Sequence, residues 1–161
     1  MTPDEAPVII RPISQTDAGE VLTLQRAAFV SEAQIYGDPN TAPLVQTLDQ
    51  LEAELRNARG FVAIVDGRIV GAIRARERDD VLMIGRIAVA PDQQGAGIGQ
   101  RLLAALEEST TCSVAELFTG SLSKANIELY SSLGYRESER VEQGDGTAQV
   151  FMRKMLAHPK N

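Results

Sequence analysis

The chain has little of several residue types that build common functional sites. Its 161 residues include one cysteine, Cys112, one histidine, His158, and no tryptophan. A single cysteine cannot form a disulfide within the chain, and one cysteine with one histidine is too few for a metal cluster or a Cys/His nucleophile pair. We therefore expect no metal ion, and we interpret Cys112 as a small, partly buried thiol.

The sequence also lacks a long hydrophobic run and an excess of basic residues. It has no stretch of about 18 apolar residues, as a membrane span requires, and its start, MTPDEAPVII, lacks the basic and apolar regions of a signal peptide. The net charge of −6 and the pI of about 4.8 argue against binding of nucleic acid through its phosphates, and mildly favour cationic partners such as amines. These features predict a cytoplasmic protein that binds neither membranes nor nucleic acid.

Helix-start signals occur twice in the first third of the chain. The stretch VIIRPI predicts a strand, and Ser14 with Asp17 then has the spacing of a capping box before a helix through EVLTLQRAAF. Thr47 with Gln50 repeats that spacing before LDQLEAELRNA. Residues 31–46 lie between these helices and mix Gly, Pro and Asn with apolar residues, so we expect a loop there.

The rest of the chain alternates strands with two further helices. Three strand-like runs within residues 60–89 predict an antiparallel meander, and the last two runs, GYRESERVEQ and TAQVFMRKML, predict a closing hairpin. The turn signals between these runs are Asp66-Gly67, Asp79-Asp80 and Gly144-Asp145-Gly146. The length and the 43% hydrophobic content fit one domain over residues 1–161, with a flexible tail from about residue 157.

The segment QQGAGIG, residues 93–99, lies between a predicted strand and an amphipathic helix. Glycines allow close approach of the backbone and positive φ, and the helix start offers free N–H groups, so the segment predicts a cradle for a pyrophosphate. It has no GK[ST] ending, which excludes a P-loop. Its GxGxG spacing past mid-chain makes a nicotinamide-dependent oxidoreductase a weaker alternative.

Two motifs in this order resemble the GCN5-related N-acetyltransferases (GNAT). Gln94, Gly97 and Gly99 form a QxxGxG motif after the apolar run IAV, and SKANIELYSSLGYRE, residues 123–137, is similar to the later family motif with a tyrosine before LGY. The resemblance implies an α/β (α+β) fold with a mixed, mostly antiparallel central sheet flanked by helices. It also implies acetyl-CoA as the acyl donor and an amine, on a small molecule or a peptide, as the acceptor.

The resemblance implies cofactor contacts in a strand end, in the glycine loop with the first helical turn, and at the start of the later helix. These residues are Ile87, Ala88, Val89, Gln94, Gly95, Ala96, Gly97, Ile98, Gly99, Gln100, Ser123 and Asn126. The N–H of Val89 would donate to the thioester oxygen. We expect the side chains of the IAV strand and of Ile98 to lie in the core, so that their backbone alone is functional. Ser123 is also a standard N-cap residue.

Tyr130 is the candidate catalytic residue, because the resemblance places its phenol near the sulfur of coenzyme A. A tyrosine pKa near 10 keeps the phenol protonated at neutral pH, as an acid for the departing thiolate requires. Family members carry a glutamate base on either of two strands, and by offset those positions are Met83 and Phe118 here, which cannot accept a proton. A base could act through water, could be Glu32, or could be unnecessary if the amine binds neutral.

Substrate contacts are expected from the 31–46 segment, with Glu32 as a carboxylate, Tyr36 as an aromatic wall and Asp38 as an ammonium partner. A homodimer is possible, as is common among the resembled proteins. An alternative to the enzyme is a non-catalytic acyl-CoA sensor or interaction module, which the missing carboxylates at Met83 and Phe118 favour and Tyr130 opposes.

Overall fold

The computed structural model describes residues 6–157 and places seven strands in one sheet, in the order β1-β2-β3-β4-β5-β7-β6. The pairing of β4 with β5 is parallel, and every other neighbouring pair is antiparallel. This confirms the predicted mixed, mostly antiparallel sheet. The strands are β1 (Ile9–Pro12), β2 (Arg59–Val65), β3 (Arg68–Arg78), β4 (Val81–Val89), β5 (Val114–Gly120), β6 (Arg136–Glu142) and β7 (Ala148–Met155).

Helices cover both faces of the sheet. They are α1 (Ala18–Tyr36), α2 (Ala42–Val45), α3 (Leu48–Leu55), α4 (Ile98–Ser109) and α5 (Lys124–Ser132). On β3, the Arg74 side chain reaches Gln25 of α1 and Glu54 of α3, whereas Gly71 faces Ile98 of α4. Because neighbouring side chains of a strand alternate between faces, α1 and α3 lie on one face and α4 on the other.

Both predicted helix starts are confirmed. Ser14 and Asp17 form a capping box at the short 3₁₀ turn that leads into α1, and Thr47 and Gln50 form one at the start of α3. Each box pairs an orphan N–H of the helix start with a side-chain oxygen and returns a bond to the cap residue. The Asp66-Gly67 and Asp79-Asp80 pairs have positive φ, as two-residue hairpin turns require.

The expected loop over residues 31–46 is wrong for much of its length. Helix α1 continues through Tyr36, and α2 forms a single further turn. The physical reason is that SEAQIY contains good helix formers and no breaker, so the helix ends only where Gly37 adopts a left-handed φ of 63°. The expected tail from about residue 157 falls almost wholly outside the described residues.

The amphipathic pattern of α4 correctly predicts its core face. Ile98, Leu102, Leu103 and Leu106 are buried against the sheet. Tyr135, after α5, is buried as well, and its hydroxyl donates to Glu107 of α4 at 2.8 Å. Lys154 of β7 donates to the same carboxylate at 2.8 Å, which ties the last strand to α4.

Over residues 6–157, no helix is long and apolar enough to span a membrane. In the same range, no group of three or more His, Cys, Asp and Glu side chains could hold a metal ion.

A side chain at Gly71 would fill the close approach between β3 and α4. A Cβ there would lie 2.7 Å from Ile98 Cγ2 and 2.9 Å from Leu102 Cδ1, both of them core atoms. We predict that Gly71→Val lowers the free energy of unfolding by about 1–3 kcal/mol through overpacking. Gly19→Ala, in the open first turn of α1, is the matched control and should raise it by about 0.5–1 kcal/mol. Urea unfolding measures both, and equal effects would contradict this packing.

Candidate active site

The glycine loop between β4 and α4 exposes its backbone. Gly95 and Gly97 have φ values of 85° and 78°, and a Cβ at either would meet no atom within 4 Å. Gly97 is the N-cap of α4 and provides no side-chain cap, while the first helical bond runs from Arg101 N to Gly97 O. The amides of residues 98–100 are therefore free of intrahelical partners and face the start of the helix, where the dipole favours an anion.

The loop lies directly beside the end of β4. A Cβ on Gly99 would lie 3.8 Å from Val89 Cγ2 and 4.0 Å from Ile87 Cγ2. The structure thus brings together two of the three predicted cofactor segments. Ala88 is 5% exposed and Ile98 is 1% exposed, so their side chains belong to the core as expected. The predicted residues Gln94, Gly95, Ala96 and Gln100 are exposed.

The edge of β4 that faces β5 is open along its second half. The β4–β5 ladder consists of three residue pairs, the last being Met83 with Glu116. Ala90 N donates to Val70 O of β3 at 2.8 Å. Because successive N–H groups of a strand point to opposite edges, the N–H of Val89 and that of Ile87 point away from β3, toward the open side.

A bulge accompanies this opening. On β3 and β4, Arg74 pairs with Arg86 and Ala75 pairs with Ile84, so Gly85 is one extra residue on β4. A bulge bends its strand and increases the local twist. It lies just beyond the last pair of β4 with β5, where the strand leaves its parallel partner.

The third predicted segment forms a hydrogen-bonded chain with α1. Leu122 N donates to the Tyr36 hydroxyl at 3.1 Å, which hydrogen-bonds the Ser123 hydroxyl at 2.8 Å, and Ser123 donates to Glu32 Oε2 at 2.8 Å. Asn126 Nδ2 donates to Glu32 Oε1 at 3.1 Å. The predicted residues Glu32, Tyr36, Ser123 and Asn126 therefore meet at the junction of α1 and α5.

One sequence interpretation is wrong here. Ser123 occupies the N-cap position of α5 but makes no side-chain cap bond, because its hydroxyl bonds Glu32 and Tyr36 instead. Asp38 accepts a bond from Asn40 N at 2.9 Å, as an Asx turn does, and its contact with an ammonium group stays a prediction.

Tyr130 of α5 is partly buried and rests against Tyr135, with ring centroids 6.3 Å apart in an edge-to-face arrangement. Burial, together with the negative charge of Glu32, raises the pKa of the Tyr130 phenol to about 12. The phenol is therefore protonated at neutral pH and is a hydrogen-bond donor. Burial and the hydrogen bond to Glu107 also raise the pKa of Tyr135.

A cavity of about 360 Å³ opens on the α1/α3 face where β4 and β5 separate. Met83 and Phe118, the two positions at which a family base would stand, both line it. Its polar lining includes Arg74, Arg86 and Glu54, which sequence reasoning missed. For Arg74 the available signal was the arginines of IRARER, residues 73–78, which follow an apolar run in the same strand, but an exposed strand end explains them equally well.

Comparison with known proteins agrees with this geometry. An acetyltransferase (GNAT) domain model matches residues 31–156. The S-(2-succino)cysteine N-acetyltransferase of Bacillus subtilis is 32% identical over 123 residues, 69% of this chain and 74% of that protein. The B. subtilis UPF0157 protein YqkA is 26% identical over 81% of this chain, which spans 38% of that longer protein.

A solved structure has the same architecture. The PaiA N-acetyltransferase from Thermoplasma acidophilum, in complex with coenzyme A, superposes with a TM-score of 0.74 at 18% identity, over 92% of this chain and 99% of that one. At this identity the likeness concerns the fold. Family membership is shown by the family model, which covers most of the sequence, and by the 32% identical relative. The resemblance seen in the two motifs is confirmed, and the chain belongs to the GNAT acetyltransferase family.

Proposed function

We propose that this protein transfers the acetyl group of acetyl-CoA to an amine on a small molecule or peptide, at the opening between β4 and β5. The observation that supports this best is the contact between Gly99 of the glycine loop and Val89 at the open edge of β4. It joins a loop suited to an anion to backbone donors of β4 that face no partner strand within residues 6–157, and an acyl-CoA needs both groups along its length.

The glycine loop fits a pyrophosphate on two independent grounds. The positive φ of Gly95 and Gly97, with open space at both, allows a ligand to approach the backbone, and the amides of residues 98–100 have no helical partner. Gln94 and Ala96 would contribute backbone contacts from the same loop. When bound, acetyl-CoA supplies an acetyl group activated as a thioester.

The N–H groups on the open edge of β4 would bind the pantetheine and acyl part of the cofactor. Val89 and Ile87 both direct an N–H toward the opening, where such a donor can pair with a pantetheine amide or stabilise negative charge on the acyl oxygen. Helix α5 follows β5 and α4 follows β4. Because β4 and β5 are parallel, both helices start at the same end of the opening. Tyr130 belongs to α5, and we propose that its phenol faces the opening from the side of β5.

Tyr130 acts by hydrogen bonding to the departing sulfur. Its pKa of about 12 lies well above that of a thiol, near 8.5, so complete proton transfer to a thiolate is unfavourable. A donated hydrogen bond still lowers the energy of the developing thiolate.

Glu32 supports this site as a positioning residue. Its two oxygens accept bonds from Ser123 and Asn126, so the carboxylate is already engaged, and its charge helps to keep Tyr130 protonated. We propose that the acceptor binds as a neutral amine, with its proton leaving to water, since neither Met83 nor Phe118 can accept one. The lack of a proton acceptor at these two positions also keeps a non-catalytic acyl-CoA sensor as the second candidate. Measured turnover distinguishes the transferase from the sensor.

Removing the phenol hydroxyl tests the role of Tyr130. We predict that Tyr130→Phe lowers kcat for acetyl transfer by about 100-fold or more, because the developing thiolate loses its donor. Affinity for coenzyme A should change little, since the ring and its contact with Tyr135 remain. Thiol release and calorimetric titration measure the two quantities. Unchanged turnover would remove the proposed role, and absence of turnover in the unmodified protein on every amine tested would favour the sensor.

Strain at one glycine tests the cradle. Gly97 and Gly144 have φ values of 78° and 85° with open space around both, but Gly144 lies in the β6–β7 turn. Alanine at either position should lower the free energy of unfolding by about 1–2 kcal/mol, because a residue with a Cβ is strained in the left-handed conformation. We predict that Gly97→Ala weakens coenzyme A binding by about tenfold and that Gly144→Ala does not. Calorimetry on both variants decides, and equal affinities would contradict the cradle.

The charge of Glu32 should be visible in the ionisation of Tyr130. A neighbouring carboxylate disfavours phenolate, so Glu32→Gln should lower the pKa of Tyr130 from about 12, while burial keeps it above the ordinary value. Phenolate absorbance, taken as the difference from the Tyr130→Phe protein in the same background, measures this shift. An unchanged titration would show that the two groups do not interact.

A further inference from the structure

The cavity between β4 and β5 carries more positive charge than its carboxylates balance. Three arginines line it, Arg74, Arg76 and Arg86, together with two acids, Glu54 and Glu116. Glu54 is bonded to Arg74, and Glu116 is bonded to Arg153, 2.7 Å away, which is not among the lining residues. Both acids therefore already have cationic partners, whereas no ion pair within residues 6–157 involves Arg76 or Arg86.

Arg74 is the most deeply placed of these cations. Its side chain is 4% exposed, with Nε bonded to Glu54 and Nη1 bonded to Gln25 at 3.1 Å. Nη2 is buried and has no hydrogen-bond partner among the described residues. A buried donor without a partner is costly, so a ligand acceptor in the cavity would satisfy it.

Arg86 is half-buried beside Arg74. Nη1 donates to Gln46 Oε1 at 3.3 Å, and no carboxylate of the described residues lies within ion-pair distance of it. Burial and the charge of Arg74 lower the pKa of Arg86, and the carboxylate of Glu54 opposes this only in part. Two neighbouring guanidinium forks, one of them without an ion pair among the described residues, make a candidate anion site.

The rest of the cavity is apolar. Met83 and Phe118 are 42% and 49% exposed, and the Phe118 ring lies 5.4 Å from that of Phe151. These side chains present thioether and aromatic surface on the side of the cavity formed by β4, β5 and β7. A ligand that fits both parts has an anionic end and a compact apolar body.

The anion site adjoins the proposed transfer site along one strand. Arg86 immediately precedes Ile87, whose N–H points into the same opening. An acceptor held at Arg86 is therefore next to the backbone that would hold the acyl group. Because Arg86 and Ile87 are adjacent, the anionic group and the reacting amine of the acceptor must be close together, as they are in a small molecule that carries both.

We propose that the acceptor is a small amine that carries its own carboxylate, such as an α-amino acid with an apolar side chain. Arg86 and Nη2 of Arg74 bind the carboxylate, while Met83, Phe118 and Phe151 contact the apolar side chain. This inference rests on the acetyl-transfer function proposed above. A carboxylate matches the planar fork of a guanidinium and brings a single negative charge. A phosphate dianion would be repelled more strongly by Glu54 and Glu116, which line the same cavity.

Matched acceptor pairs test the proposal. L-leucine, L-methionine and L-phenylalanine are each compared with their carboxamides, with phosphoethanolamine as the phosphate probe, in a thiol-release assay at saturating acetyl-CoA. We expect the carboxylate member of a pair to have a kcat/KM about 10- to 100-fold higher than its amide, as for a hydrogen bond to a charged group. Binding of the same compounds to the coenzyme A-loaded protein is measured by calorimetry.

Variants separate recognition from folding. Arg86→Gln should remove the preference by lowering kcat/KM for the carboxylate alone, leaving the amide and the KM for acetyl-CoA unchanged. Arg86→Lys should restore part of it, because the charge returns without the fork. The matched control is Arg78→Gln on β3, whose side chain is 80% exposed and lies outside the cavity lining. It should behave as the unmodified protein.

The outcomes divide the two proposals. Three results would overturn the carboxylate site while leaving acetyl transfer intact. They are an equal kcat/KM for acids and amides, a higher kcat/KM for phosphoethanolamine, and an equal loss of kcat/KM for both members of a pair in Arg86→Gln. If no amine releases thiol, the transferase proposal fails for these acceptors, and calorimetry alone decides the site. Tighter binding of acids than of amides, lost in Arg86→Gln, then supports the site, and equal or absent binding overturns it.

Discussion

The early end of pairing between β4 and β5 is the constraint on which the rest of the site depends. After three residue pairs the two parallel strands separate, which leaves backbone donors of β4 without a strand partner at the middle of the sheet. An interior strand edge is normally satisfied by a neighbour. Here the same separation creates the opening beside the glycine loop and, on the α1/α3 face, the arginine-lined cavity. The proposed acetyl-CoA site and the proposed amine site therefore lie on two sides of one opening.

Much of the fold followed from local signals in the sequence. The two capping boxes, the Asp-Gly turn and the apolar stripe of α4 each report a short-range interaction, and each appears where it was expected. The family was also recognisable, because its two motifs combine glycine geometry with a tyrosine at a fixed offset. Such features need no knowledge of how distant segments pack.

Features that depend on distant contacts were not predictable. Ser123 has the residue type of an N-cap, but α1 extends further than expected and brings Glu32 and Tyr36 to it, and these partners take its hydroxyl. The burial of Arg74 depends likewise on Gln25 and Glu54, which come from two helices. In sequence such an arginine is indistinguishable from a solvated one. What decides its role is the number of partners that the fold supplies.

The close approach of Tyr36 to Gly120 limits which residues related sequences can carry at these two positions. A Cβ on Gly120 would overlap the Tyr36 hydroxyl, which also accepts the Leu122 amide bond. A larger residue at position 120 therefore requires the Tyr36 side chain to move or to become smaller, so the end of β5 constrains the end of α1. In related sequences that keep this packing, an aromatic residue at position 36 and glycine at position 120 should be retained or replaced together. That pair would mark, in sequence alone, which relatives share the α1–α5 junction.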